Sequence, residues 1–296
     1  HLQGSTWTQP SRGVPGDFYG VGGSGPDDVL AVGSNGRVAR WNGTGWSTEA
    51  SSSSASLTAV WSASDQEAWA VGASGTVLHW SAGSWAMVES GTTTWLTAVW
   101  GSSANDVWVV GSSTAIYRWT GSSWTPYATG NVAGYMWIWG KSATEIYVSG
   151  LRWDGSNWVA DTTNSSKQPV LWGTGNEQWT ASGYWNGKTW SGYSYSCPDI
   201  LAIHGVSPND VWAVGANGNR CRFTRTEAFS NVLVDVATGN GFGYTHGQRD
   251  QSMHAVWGTS ISDVWVIGGK GTSGHWDGTA WSTVPSGATE PLAEVG

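Results

Sequence analysis

Three of the six histidines, His204, His246 and His254, lie in or beside one stretch of the chain that also carries Arg249 and Asp250. An imidazole next to a carboxylate and a guanidinium can hold a metal or move protons near neutral pH. None of the known ligand spacings is present, so neither a metal nor a cofactor is expected. As an acid–base set, His246 and His254, with Arg249 as a carboxylate-binding group, would suit a single site acting on an acidic polysaccharide. The simpler reading of the same stretch is a ligand-binding or plain surface loop. No nucleophile can be assigned with fixed His and Asp partners. Nor does a Gly-rich loop lead into a helix with a suitable Lys, so nucleotide chemistry has no support. Binding, of a ligand or as a protein-interaction scaffold, is therefore favoured over catalysis.

A second set of chemistry-bearing side chains recurs along the whole chain. Arg40, His79, Arg118, Arg152, Tyr184, Arg222 and His275 each stand immediately before an aromatic residue. In six of these copies a second Trp follows the first at a fixed offset, as in Trp41 and Trp46 or Trp119 and Trp124. Stacking of the cation on a neighbouring indole is one reading, and a ligand pocket repeated between structural units is the other. An acid recurs as well: Asp28, Glu67, Asp106, Glu145, Glu177, Asp210 and Asp263. A carboxylate at a loop-to-strand junction accepts backbone N–H groups, so these acids are expected to fix turns. A third recurring slot holds Trp61, Trp100, Trp139, Trp172 and Trp257, with Gly22 and His204 as the exceptions.

What must position these residues is one unit repeated seven times, anchored at Gly33, Gly72, Gly111, Gly150, Ser182, Gly215 and Gly268. Each unit shows four short apolar or aromatic runs separated by Gly, Ser, Asn and Asp, which reads as four strands. Tips such as Asn35-Gly36 and Ser74-Gly75 suit two-residue hairpins between the second and third strands. That register sets Trp69 opposite Trp80, Trp108 opposite Trp119, Trp212 opposite Phe223 and Trp265 opposite Trp276. The second strand, as in Val107-Trp108-Val109-Val110, is apolar on both faces and so needs a sheet packed on each side. Repeats of this kind predict an all-β, seven-bladed β-propeller with four antiparallel strands per blade, one domain spanning 1–296. The third slot then borders the axial channel, which Gly22 and His204 are expected to open or polarise.

Some features occur once. Blade six is enlarged, with 53 residues between anchors against 39 in a regular blade, and it contains the histidine-rich stretch. Cys197 and Cys221 fall on the same blade and are expected to form one disulfide that anchors the enlarged loop. Residues 1–5 read as the remnant of a purification tag. Ser5-Thr6-Trp7-Thr8 matches a surplus fourth strand, expected at the closing seam beside the last blade.

Composition narrows the partners. With 13 basic against 21 acidic residues and a net charge of −8, the chain is not suited to nucleic acid or anionic membranes. No apolar run approaches the roughly 20 residues of a membrane span, so no membrane insertion is expected. Twenty-five Trp and few charges point to glycans as partners.

Val99-Trp100-Gly101, Asp106-Val107-Trp108 and Trp119-Thr-Gly-Ser-Ser-Trp124 resemble the Trp-rich repeats of tectonin-like proteins and the PLL-type seven-bladed lectins. The resemblance implies a secreted or cell-surface lectin with several shallow sugar sites between blades and no catalysis. It favours the repeated Arg, His or Tyr slot as the ligand-binding position. Blade six, Gly22 and the shortened hairpins of blades four and five depart from the pattern.

Overall fold

The computed structural model describes residues 2–3, 6–7, 17–112, 116–129, 137–161, 172–174, 177–180, 183–192, 200–207, 209–215, 220–225, 232–237, 253–268 and 273–283. Seven four-stranded antiparallel sheets follow one another along the chain. They span residues 18–49, 57–87, 96–126, 139–160, 172–192, 200–237 and 253–283. The first strand of each sheet neighbours the first strand of the next, and the seventh neighbours the first, so the sheets close into a ring. This is the seven-bladed propeller that the repeats predict. Blade six keeps a fourth strand of its own, Val232–Ala237, paired with Arg220–Arg225.

Closure needs no exchanged strand. Blade seven completes itself with Trp281–Thr283. Thr6–Trp7 pairs instead with Leu2–Gln3 in a separate two-stranded sheet, so the surplus strand is not added to the last blade as expected.

The hairpins between second and third strands correct the expected register by one residue. In blade two, Ala68 pairs with Trp80 and Trp69 with His79. The cause is an extra residue at the tip. Ser74 and Gly75, both at positive φ, form the tight turn, and Thr76 N donates to Ala73 O. The amide of Ala73 does not cross the hairpin, however; it donates to Ser56 O, while Gly72 N donates to Thr76 O. Gly72 and Ala73 thus share one partner, a bulge that shifts every pair below it. Blade one repeats the arrangement through Ser34 N to Asp17 O and Gly33 N to Arg37 O. A Cβ on Gly72 would lie 2.1 Å from Ser56 O, which explains why the anchor is glycine. Blade four instead has the plain two-residue turn, Ser149-Gly150 between Val148 and Leu151.

The register decides which side chains meet. Trp108 faces Arg118, Trp212 faces Arg222 and Trp265 faces His275, where Trp119, Phe223 and Trp276 were expected. The recurring Arg/His slot therefore lies on the same face of the sheet as the second-strand aromatic.

Around the axis, each first-strand indole lies over the next blade's glycine. A Cβ on Gly101 would meet Trp61 at 2.6 Å, on Gly140 Trp100 at 2.4 Å, on Gly173 Trp139 at 2.6 Å and on Gly205 Trp172 at 2.3 Å. The Trp-Gly dipeptide is thus one device: an indole reaching forward and a bare backbone receiving the indole from behind. Blade two has Ser62 in the glycine position, and its upstream neighbour is the blade with Gly22 instead of Trp. Gly22 does not open the axis here. Without side chains, Gly20 and Gly22 let the first strand of blade one sit so close to blade two that an added Cβ would be 2.7 Å from Ala59 Cα and from Val60 O.

Replacement of Gly140 by Ala should force Trp100 aside and cost about 1–3 kcal/mol in chemical unfolding. Gly25→Ala, where nothing lies within 4 Å, should change stability by less than about 0.5 kcal/mol.

Candidate functional site

The seams between blades are built around the second-strand aromatic. Trp69 of blade two packs against Trp119 and Trp124 of blade three, with ring centroids 5.2 and 5.5 Å away. Trp108 meets Trp153 and Trp158 in the same way, and Trp212 meets Trp276 and Trp281. At the closing seam Trp265 of blade seven meets Trp41 and Trp46 of blade one at 5.1 and 5.7 Å. The edge-to-face contact with the fourth-strand Trp recurs at each of these seams, at 85–90°. Such packing uses the indole quadrupole and buries large apolar surfaces. Blade one has Leu30 in this position, seated with Trp80 and Trp85.

The recurring acid and the recurring cation are partners. Arg118 Nε donates to Asp106 at 2.7 Å, and Arg222 binds Asp210 through two nitrogens at 2.9 and 2.5 Å. His79 Nε2 lies 2.6 Å from Glu67, and His275 Nε2 lies 2.8 Å from Asp263. Arg40 bonds Asp28 and also Glu49, whose other oxygen accepts from Trp85 Nε1 of the next blade. Each of these carboxylates therefore binds a side chain twelve residues on, where the sequence suggested a turn-fixing acid. The cations also cover indoles: Arg118 lies 5.0 Å from Trp108, and Arg222 lies 5.0 Å from Trp212 and 5.5 Å from Trp276. His79 stacks on Trp69 at 4.0 Å and His275 on Trp265 at 4.3 Å.

Arg and His fill the slot differently. Beside His79 and His275 the carboxylate also accepts from the indole N–H of Trp69 and Trp265, each at 3.0 Å. Beside Arg118 and Arg222 the indole N–H groups of Trp108 and Trp212 are buried without a hydrogen-bond partner. The guanidinium takes the carboxylate and stacks on the ring, which offsets part of that cost. Burial works against ionisation of Asp263, yet the hydrogen bonds from His275, Thr259 and Trp265 outweigh it and hold its pKa below the usual carboxylate range.

Two members of the slot differ. Tyr184 is buried and stacks on Trp179 at 5.1 Å. Arg152 faces Tyr147 across the strands, but the blade-four acid is taken up otherwise: Glu145 accepts from the Tyr147 hydroxyl at 2.7 Å and lies 3.4 Å from Lys141. Among the described residues Arg152 makes no ion pair.

The histidine-rich stretch is only partly in view. His246 and Arg249 lie outside the described residues. His254 sits at the start of the first strand of blade seven, half-buried, with its ring 5.8 Å from Tyr19 of blade one. Burial lowers its pKa and outweighs the attraction of Asp17. His204, the exception in the axial ring, lies between Trp172 and Trp257, with centroids 6.1 and 6.2 Å away. Its Nε2 is 2.9 Å from Gly258 O, and burial takes its pKa down to about 4 against the pull of that hydrogen bond. It tightens the seam to blade seven where Trp stands elsewhere. No cluster of three metal-binding side chains occurs among the described residues. Cys221 is buried and disulfide-bonded; the chain's other cysteine, Cys197, lies outside the described residues.

The loop face carries what the repeats do not. Trp95, in the loop entering blade three, is 52% exposed, and Leu201, entering blade six, is 37% exposed. The loop from Gly91 to Trp95 is one of those that vary between blades, and Trp95 occupies no recurring slot; that singularity is its signal in the sequence.

No protein-family model and no curated protein matches the chain. Solved structures do. A structure described as YCF48 bound to D1 peptide is similar over 91% of this chain and 95% of its own, with 16% identity and a TM-score of 0.64. The likeness is one of fold. The computationally designed Ika8 protein shares it at 14% identity, covering 93% of this chain and 88% of its own, with a TM-score of 0.62. So does the extracellular domain of the putative one-component system BT4673 from B. thetaiotaomicron, at 12% identity and a TM-score of 0.63, covering 92% of this chain and 41% of that one. No helix among the described residues is long and apolar enough to cross a membrane.

Two outcomes follow from this geometry. Arg118→Ala should cost about 1–3 kcal/mol of unfolding free energy, whereas Arg118→His, which reproduces the slot of blades two and seven, should cost less than about 1 kcal/mol. The second concerns pH. With a folded pKa of about 4 against an ordinary 6.5, His204 binds its proton more readily in the unfolded chain. Its contribution to stability is constant above pH 6.5 and declines by up to about 3 kcal/mol as pH falls to 4. Denaturation series across that window should show a shallower decline for His204→Gln than for the wild type.

Proposed function

We propose that this chain is a recognition propeller, a rigid and non-catalytic ring that binds neutral glycans on the face bearing its fourth-to-first-strand loops. The observation that carries the reading is the commitment of the recurring side chains to one another. Five members of the Arg/His slot hold acids of their own blade, and the recurring indoles pack across the seams. Recognition is then assigned to positions that differ between blades. Loops are where a rigid scaffold tolerates such differences, and the propeller itself specifies no function.

The class of ligand is argued from the loops' chemistry. Residues 50–56 and 90–97 carry no charge and are rich in Ser and Thr. Hydroxyl groups beside an indole suit a ligand that offers hydroxyls and C–H faces. A disulfide at Cys221 fits an oxidising compartment, so a secreted or cell-surface location belongs to the proposal.

Arg152 supports a second reading, the shallow sites between blades. It is the slot's guanidinium without a described carboxylate. The side chains of Arg118, Arg222, His79 and His275 also keep 23–26% of their surface exposed. Several such sites would bind a polyvalent glycan by avidity. The YCF48 structure is described as bound to a peptide, which makes a peptide the rival ligand class.

A glycan array followed by calorimetry tests the reading. Binding of neutral glycans that survives Arg152→Ala is expected. Binding confined to acidic glycans and lost in Arg152→Ala would move the site into the seams. Binding of peptides alone would overturn the glycan assignment.

A further inference from the structure

Resting on the loop-face reading, we infer that Trp95 is the stacking platform for one pyranose ring of a neutral glycan. Among the residues whose side chains are described, the other aromatic side chains are buried or half-buried. Among the described residues the exposed large hydrophobics are Met87, Trp95, Leu201 and Ile261, so Trp95 is the exposed aromatic. An indole left half in water forgoes apolar burial that a ligand's C–H face would supply.

The indole is exposed on a fixed backbone. Gly75 N of the preceding blade donates to Thr94 O at 2.7 Å, and Ser112 N of the same blade donates to Trp95 O at 2.9 Å. Ser112 Oγ reaches the same carbonyl at 3.3 Å, and the next side chain, Leu96, is fully buried. Thr92 Oγ1 accepts from Thr94 N at 3.1 Å and lies 3.0 Å from Thr94 Oγ1. Both flanks of Trp95 are therefore held before a ligand arrives, which lowers the ordering cost of binding. The corresponding residues of blades one and two are Asp17 and Ser56, so stacking here serves no packing rule of the fold.

The surroundings choose the ligand class. From Ser90 to Asn105 the chain has no charged residue, and Thr92, Thr93, Thr94 and Ser112 place hydroxyl-bearing side chains on either side of Trp95 in sequence and hydrogen bonding. A flat aromatic face bordered by uncharged hydroxyls matches a neutral sugar ring, which offers C–H groups to the face and hydroxyls to the border. Acidic sugars would find no cation within this stretch.

Protein labelled with 5-fluorotryptophan, with the Trp95 resonance assigned through Trp95→Phe, would be titrated by fluorine NMR. The probes are the methyl glycosides of glucose, mannose, galactose, fucose and N-acetylglucosamine. At least one is expected to move the Trp95 resonance while the seam indoles stay in place. Trp95→Ala is then expected to weaken array binding at least tenfold with an unchanged thermal midpoint. A glycan that binds the array equally well to Trp95→Ala and leaves the resonance still would overturn this inference and leave the loop-face reading standing. Absence of any neutral-glycan binding, or a Trp95 response to a proline-rich peptide alone, would overturn both.

Discussion

The ring depends on one contact made again and again: an aromatic side chain from a second strand inserted between the third- and fourth-strand aromatics of the next blade. A four-stranded sheet of this length has two apolar faces and cannot bury them alone. Each inserted indole joins two such sheets. Because the same contact joins Trp265 to Trp41 and Trp46, the ring closes by packing alone, with every blade supplying its own four strands. The acid and cation behind the indole fix its plane, which is why a chain with few charges spends so many of them in pairs at the seams.

Much of this was legible in the sequence, because repetition separates rules from exceptions. The count of blades and their four strands follow from self-comparison. Register was not legible. The tips Ser74-Gly75 and Asn35-Gly36 do form positive-φ turns, as their residue types require, but the amides of Ala73 and Ser34 are captured by a neighbouring loop. That long-range hydrogen bond adds a bulge that no local pattern announces. Without the right register, Asp106 and Arg118 looked like separate rings of charge when they are one pair.

The same shift bears on function. A cation beside an indole reads as a ligand pocket when its carboxylate partner is unknown, and five of the seven residues in the slot hold such a partner. Singular positions then gain weight. Trp95, Leu201 and Arg152 stand out against a background in which equivalent residues are engaged, and the enlarged loop of blade six stands out in length. The exceptions along the axis behave otherwise: Gly22 and His204 draw neighbouring first strands together where larger side chains would hold them apart.

The central claim, that the recurring acid and cation act as structural partners, is tested most directly by a double-mutant cycle on Asp106 and Arg118, read by equilibrium unfolding and by glycan binding in parallel. A coupling energy of about 1 kcal/mol or more in stability, with none in affinity, is the predicted result. Negligible coupling in stability together with strong coupling in affinity would contradict it, and would return the seams to the role of binding sites.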